Sequence, residues 1–161
     1  MVDFSQATKD QIKIHISKYP EGKQKSALIP ILHVVQKENK GWLSVPVMDK
    51  VAEILQIQPI EVFEVASFYT MFNLNPVGAH VLEVCRTGPC MIVGAEKIVD
   101  HIKNRLGIND GETTEDGLFT LKTVECLGAC GYAPMLQLGD DYREHLTIEK
   151  VDQLIEELRG R

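Results

Sequence analysis

The sequence predicts an α/β protein in which an N-terminal helical bundle is followed by a domain with a mixed sheet flanked by helices. Three observations carry that expectation. Apolar residues recur at helical spacing as far as Phe72, punctuated by Pro30, Gly41, Pro46 and Pro59. Beyond Asn73-Leu74-Asn75-Pro76-Val77-Gly78 the pattern changes, and two short apolar runs, Val81 to Val84 and Leu118 to Val124, bracket an amphipathic stretch. All four cysteines fall in this second part, as two close pairs, Cys85/Cys90 and Cys126/Cys130. The turn-rich segment therefore divides the chain into residues 1–78, the helical bundle, and residues 79–161, the α/β domain.

In the first part, residues 8–19 and 23–39 fit two helices. The second has Ala27, Leu28, Ile31, Leu32, Val34 and Val35 as its apolar residues. Pro30 should bend or restart it, because proline has no N–H to give the preceding turn. Gly41-Trp42-Leu43-Ser44 then supplies a break and a cap. Pro46 to Leu55 fits a third helix, and Pro59 to Phe72 a fourth that opens on a proline suited to a first turn. Phe68, Tyr69, Met71 and Phe72 read as a helical group facing the core or a partner, rather than as a redox relay.

In the second part, Val81, Leu82 and Val84 make a strand ending at Cys85, and Arg86-Thr87-Gly88-Pro89 forms a turn. Cys90 then stands at the mouth of a helix on which Ile92, Ala95, Ile98, Val99, Ile102 and Leu106 recur before Gly107 stops it. That location is near a positive helix end. Leu118 to Val124 alternate as a strand. Past Cys126 the chain turns through Leu127, Gly128, Ala129 and Gly131, where small or flexible residues let backbone amides approach sulfur. Pro134 opens a strand from Met135 to Leu138, Gly139-Asp140-Asp141 turns into Tyr142 to His145, and Ile148 to Leu158 forms a last helix capped by Thr147.

Four thiols in two clips can bind one zinc, hold an iron–sulfur cluster, close two disulfides or stay free. Structural zinc uses tight clips of two to four intervening residues; here the intervals are four and three, with Gly88 and Pro89 inside the first. A [2Fe–2S] cluster wants two thiolates on each of two irons, which two separate clips supply. Spacing favours the cluster and leaves zinc and disulfides open. His15, His33, His80, His101 and His145 are too scattered for the closely paired histidines of His-ligated clusters.

The order strand, helix, strand, strand, strand, helix over residues 79–161 is that of a thioredoxin-like domain, although there is no C-x-x-C redox pair. Cys85-x4-Cys90, followed by Glu125-Cys126-Leu127-Gly128-Ala129-Cys130-Gly131-Tyr132-Ala133-Pro134, resembles the thioredoxin-like [2Fe–2S] ferredoxin family, which supplies the E subunit of NADH:quinone oxidoreductase (respiratory complex I). Gly41-Trp42-Leu43 and the run from Val62 to Phe72 resemble the same family without using a cysteine. The resemblance implies that Cys85, Cys90, Cys126 and Cys130 ligate one [2Fe–2S] cluster, with amides around Thr87, Gly88, Leu127, Ala129 and Gly131 facing the sulfurs. It also implies an electron carrier without independent activity. Its partners would be an NADH- and FMN-binding flavoprotein of the F type and other members of a peripheral arm, on the cytoplasmic side of the inner membrane. Similar subunits serve NAD-reducing hydrogenases and NAD-dependent formate dehydrogenases. Where many members of the family continue with Leu-Arg after the second cysteine, this chain has Ile92-Val93, and a lost cation should lower the cluster's potential.

Composition agrees. In 161 residues, 44% hydrophobic content permits a core, and a net charge of −6 argues against nucleic acid as a partner. No run approaches the ~18 apolar residues of a membrane span. The start, MVDFSQATKD, lacks a basic and apolar leader, so reduced cysteines are expected. There is no G-x-G-x-x-G and no Walker lysine motif, so NADH and flavin belong on another chain.

Overall fold

The computed structural model describes residues 2–160. The chain divides after Pro76 into two compact units. In the first, helices α1 (Gln6–Ile16), α2 (Leu28–Glu38), α3 (Val45–Leu55) and α4 (Pro59–Phe68) surround a core that includes Ile31, Leu32, Val35, Val51, Leu55 and Val62. Helix α1 starts two residues earlier than periodicity suggests, because the Ser5 hydroxyl accepts a hydrogen bond from the Thr8 amide (3.3 Å). It ends at Ile16, ahead of Pro20, which disfavours helical backbone at Tyr19. The stretch 23–39 is two pieces, a 3-10 turn (Gln24–Ala27) and then α2. Pro30 falls in the first turn of α2, where a missing N–H costs no helical bond.

Helix α4 ends four residues short of the expected Phe72. Tyr69 is extended (φ −92°, ψ 119°), and the chain turns so that Phe72 enters the core beside His33, with ring centroids 5.0 Å apart. Asn73 fastens this turn: its carbonyl accepts from the Leu43 amide (2.7 Å), its side chain donates to the Gly41 carbonyl (2.8 Å), and its amide donates to Gln36 (2.8 Å). These long-range bonds outweigh the local helical preference. Phe68, Tyr69 and Met71 stay exposed.

The second unit contains β1 (His80–Cys85), α5 (Gly88–Ile92), α6 (Ala95–Leu106), β2 (Phe119–Val124), β3 (Leu136–Leu138), β4 (Asp141–Arg143) and α7 (Ile148–Arg159). The sheet order is β2-β1-β3-β4, with β1 and β2 parallel and the other pairs antiparallel. Leu82, Val84, Phe119 and Leu121 of the sheet pack with residues of α6 and α7 such as Ile102 and Ile155. Side-chain bridges tie those helices: His101 to Asp152 (2.8 Å), and Arg105 to Asp152 (3.4 Å) and to Glu156 (2.6 Å). This mixed sheet with its helices is the thioredoxin-like arrangement.

One expectation fails in an instructive way. The amphipathic run from Cys90 to Gly107 is not a single helix, because Gly94 adopts φ +99° and separates the five-residue α5 from α6. The break resets the helical phase. Ile92, assigned by periodicity to the buried face, is 86% exposed, and Val93 beside it is also exposed. Gly88 and Pro89 lie within α5 rather than in a turn ahead of it, so Cys90 sits inside a short helix, not at the mouth of the long one.

Candidate metal centre

Three segments meet at one end of the sheet. Cys85 closes β1 opposite Val124 of β2, two residues before Cys126, while Val84 pairs with Leu136 of β3. The Cys85 amide donates to the Met135 carbonyl (3.2 Å), and the Arg86 amide to that of Val124 (2.9 Å). Parallel pairing thus delivers the second clip to the first, and β3 closes the third side.

The four thiols are free, and they form two unlike pairs. Cys85 and Cys90 are buried with Ala95 and Met135, with Leu127, Ala129 and Ala133 packed around them. Cys126 and Cys130 are exposed, their sulfurs 3.6 Å apart. Two thiolates bound at about 2.3 Å to one tetrahedral ion stand about 3.8 Å apart, so this pair already has the separation of two ligands on one metal. The Thr87 hydroxyl lies 3.5 Å from Cys85 Sγ. Among the described residues, no three His, Cys, Asp or Glu side chains form a group placed to hold a metal ion.

The surroundings favour negative sulfur at one member of each pair, Cys85 and Cys126, and disfavour it at the other. Burial raises the Cys85 thiol, but hydrogen bonds from the Thr87 side chain and amide, from Cys90 and from the Leu127 amide carry it below its ordinary value. Burial, with Cys85 close by, pushes Cys90 up to about 11, against a hydrogen bond from the Met135 amide. The Gly128 amide, 3.4 Å from Cys126 Sγ, leads the groups that lower Cys126. The hydrogen bond and charge of Cys126 in turn raise Cys130.

Of the amides expected to face sulfur, those of Thr87 and Leu127 do so. The amide of Gly128, named in the same turn as Leu127, also faces sulfur, and Met135 is a donor that sequence reasoning missed. Gly128 had a signal, a glycine inside the second clip whose φ of +78° turns its N–H back to the preceding cysteine. Met135 had none, since sheet register alone brings it there. Four of the five histidines are engaged elsewhere: His33, His80 and His145 contact Phe72, Phe119 and Tyr132, and His101 is bound to Asp152. Arg86 makes an ion pair with Glu96 (3.7 Å).

The protein is a thioredoxin-like scaffold that carries four free thiols as two pairs at one end of its sheet. Residues 12–159 match the family described as "Thioredoxin-like [2Fe-2S] ferredoxin". The chain is 46% identical over 158 residues to "NADH dehydrogenase [ubiquinone] flavoprotein 2, mitochondrial" of Dictyostelium discoideum, covering 98% of this chain and 64% of that one. It is 47% identical over 145 residues to the E subunit of NADH-quinone oxidoreductase from Rickettsia bellii (strain RML369-C), covering 90% of this chain and 87% of the relative. A solved structure, "Crystal structure of NAD+-reducing [NiFe]-hydrogenase in the air-oxidized state", shares the fold with a TM-score of 0.70 at 19% identity, over 80% of this chain and 23% of that chain. The chain belongs to the thioredoxin-like [2Fe–2S] ferredoxin family, and its cofactor is a [2Fe–2S] cluster. No helix among the described residues is long and apolar enough to cross a membrane.

Proposed function

We propose that this chain is the electron-transfer subunit of an NADH:quinone oxidoreductase, holding its [2Fe–2S] cluster through Cys85, Cys90, Cys126 and Cys130. The observation that carries the reading is the gathering of four free thiols, as two pairs, at one end of a sheet in a chain of this family. Bound there, the cluster supplies storage of a single electron. The protein does the rest. Cys85 and Cys90 provide a buried pair of ligands and Cys126 and Cys130 an exposed pair. Amides of Thr87, Leu127, Gly128 and Met135 offset the negative charge on sulfur. Ala95 and Met135 keep water from the buried side.

The partner in this reading is an NADH- and FMN-binding flavoprotein of the F type. That flavoprotein performs hydride chemistry and exchanges one electron with this chain, which has no independent activity. The names of the relatives support membership of a multi-subunit complex. The position follows from the same reading: peripheral, on the cytoplasmic side of the inner membrane. In a second reading the same module serves an NAD-reducing hydrogenase, with which the fold is shared, or an NAD-dependent formate dehydrogenase.

Anaerobic purification with iron, sulfide and zinc assays and EPR tests the cofactor site. About two irons and two sulfides per chain, with a dithionite-induced signal, are expected; one zinc and no such signal would overturn the reading. Identification of co-purifying chains separates the complexes. Quinone-module subunits favour the first, and hydrogenase subunits without them favour the second.

A further inference from the structure

Thr87 occupies the position before the first residue of α5, in extended backbone (φ −117°, ψ 160°). A threonine there ordinarily turns its hydroxyl onto a free amide of the helix's first turn. Thr87 makes no such capping bond. Its hydroxyl instead lies 3.5 Å from Cys85 Sγ.

We propose that Thr87 is a positioning residue that sets the reduction potential of the site, its hydroxyl donating a hydrogen bond to the sulfur of Cys85. The inference rests on the ligand assignment proposed above. A ligating sulfur is a thiolate and can only accept, so the hydroxyl is the donor whichever way it points in the free thiol. One added electron, supplied by a one-electron reductant and accompanied by no proton, makes the sulfurs more negative. A hydrogen bond to sulfur therefore stabilises the reduced form more than the oxidised one and raises the potential. The oxidised form keeps part of the bond, so only part of the strength of a charged hydrogen bond appears as a difference between the two states. The expected effect is about tenfold in the one-electron equilibrium, or about 59 mV.

The test compares the unmodified protein with Thr87→Val, which keeps shape, suits extended backbone and removes only the hydroxyl, and with Thr87→Ser, which retains it. Iron and sulfide are counted first. If the unmodified protein holds none, the ligand assignment itself is wrong and this inference goes with it. With the cluster present, EPR-monitored titration with dithionite should give Thr87→Val a potential lower by about tenfold in the equilibrium, and Thr87→Ser the unmodified value. An unchanged potential in a fully loaded Thr87→Val overturns the inference and leaves the function reading intact. So does an equal fall in both variants, which would report packing. Thr87→Ala guards against poor assembly: a loaded Thr87→Ala should show the same fall, and failure of both Val and Ala to assemble would overturn tuning in favour of a purely structural role.

Discussion

The sulfurs of Cys126 and Cys130 stand 3.6 Å apart on an exposed loop, although three residues separate them along the chain. Gly128, midway between, aims its amide at Cys126 Sγ and holds the loop closed (3.4 Å). The outer half of the site is thus formed by local geometry. The inner half, Cys85 and Cys90, depends on the packed sheet end.

Serine substitutions should separate these halves. Cys85→Ser and Cys90→Ser should each reduce cluster retention by at least about 10–100-fold, the range seen even for outer-shell groups at metal sites. Cys126→Ser and Cys130→Ser should be milder, since water can reach the exposed side. Iron and sulfide content after anaerobic reconstitution checks the order, and equal losses at all four positions would count against it.

The turn after α4 predicts a contrast within one aromatic group. Phe72→Ala, which empties a buried position beside His33, should destabilise the helical unit by about 3–5 kcal/mol. Phe68→Ala, at a 76% exposed position, should change stability by no more than about 0.5 kcal/mol. Urea unfolding followed by fluorescence reads both, because Trp42 is the only tryptophan in the chain and lies in this unit.

How much of this was legible beforehand depends on the kind of information each residue carries. The four helices, the strand order and the cysteine clips follow from local periodicity, which Val81 to Val84 and Ile148 to Leu158 display without ambiguity. Two errors have different origins. Phe72 leaves helical backbone because Asn73 is tied to Gly41, Leu43 and Gln36, residues about thirty or more positions away. Ile92 faces solvent because one glycine reset the helical phase. The Met135 amide on Cys90 was beyond any local pattern, since it exists only once β1 and β3 are in register. Thr87 was legible as a turn residue with an amide near sulfur, whereas the approach of its hydroxyl to Cys85 follows from the start of α5 at Gly88.

The link between α1 and α2 gives a pH signature. A hydrogen bond from the Thr8 hydroxyl, and another from the Ser5 amide (2.7 Å), hold the Glu38 carboxyl below its ordinary value of 4.5 despite the opposing effect of burial. A depressed folded value means that the contribution is fully present above pH 4.5 and disappears as pH falls through the lower folded value. Glu38→Gln should therefore be less stable than the unmodified chain at neutral pH, with the gap closing below about pH 4.5. Thermal melts followed by Trp42 fluorescence would show the convergence; a gap constant with pH would refute it.

A cation restored beside the first clip should shift the potential upward. Val93→Arg places positive charge three residues past Cys90, at an exposed position. Its effect should stay below tenfold in the reduction equilibrium, less than about 59 mV. It should shrink as salt is raised, since a surface charge is screened over about 8–10 Å at physiological ionic strength. Titrations at low and high salt test both points. A shift independent of salt would indicate a structural change instead.

The register of β1 has a consequence for how the chain can vary. Side chains alternate between the faces of a strand, so the sulfur at Cys85 is counted from the start of β1 by parity. One residue inserted between His80 and Cys85 would turn that sulfur to the opposite face while leaving the second clip in place. Two inserted residues would restore its facing and advance it by about 7 Å past its partners. Neither insertion leaves four sulfurs in company. The length of this strand is therefore as much a part of the cofactor's address as the cysteines are, and drift in length should be tolerated at the turns far sooner than here.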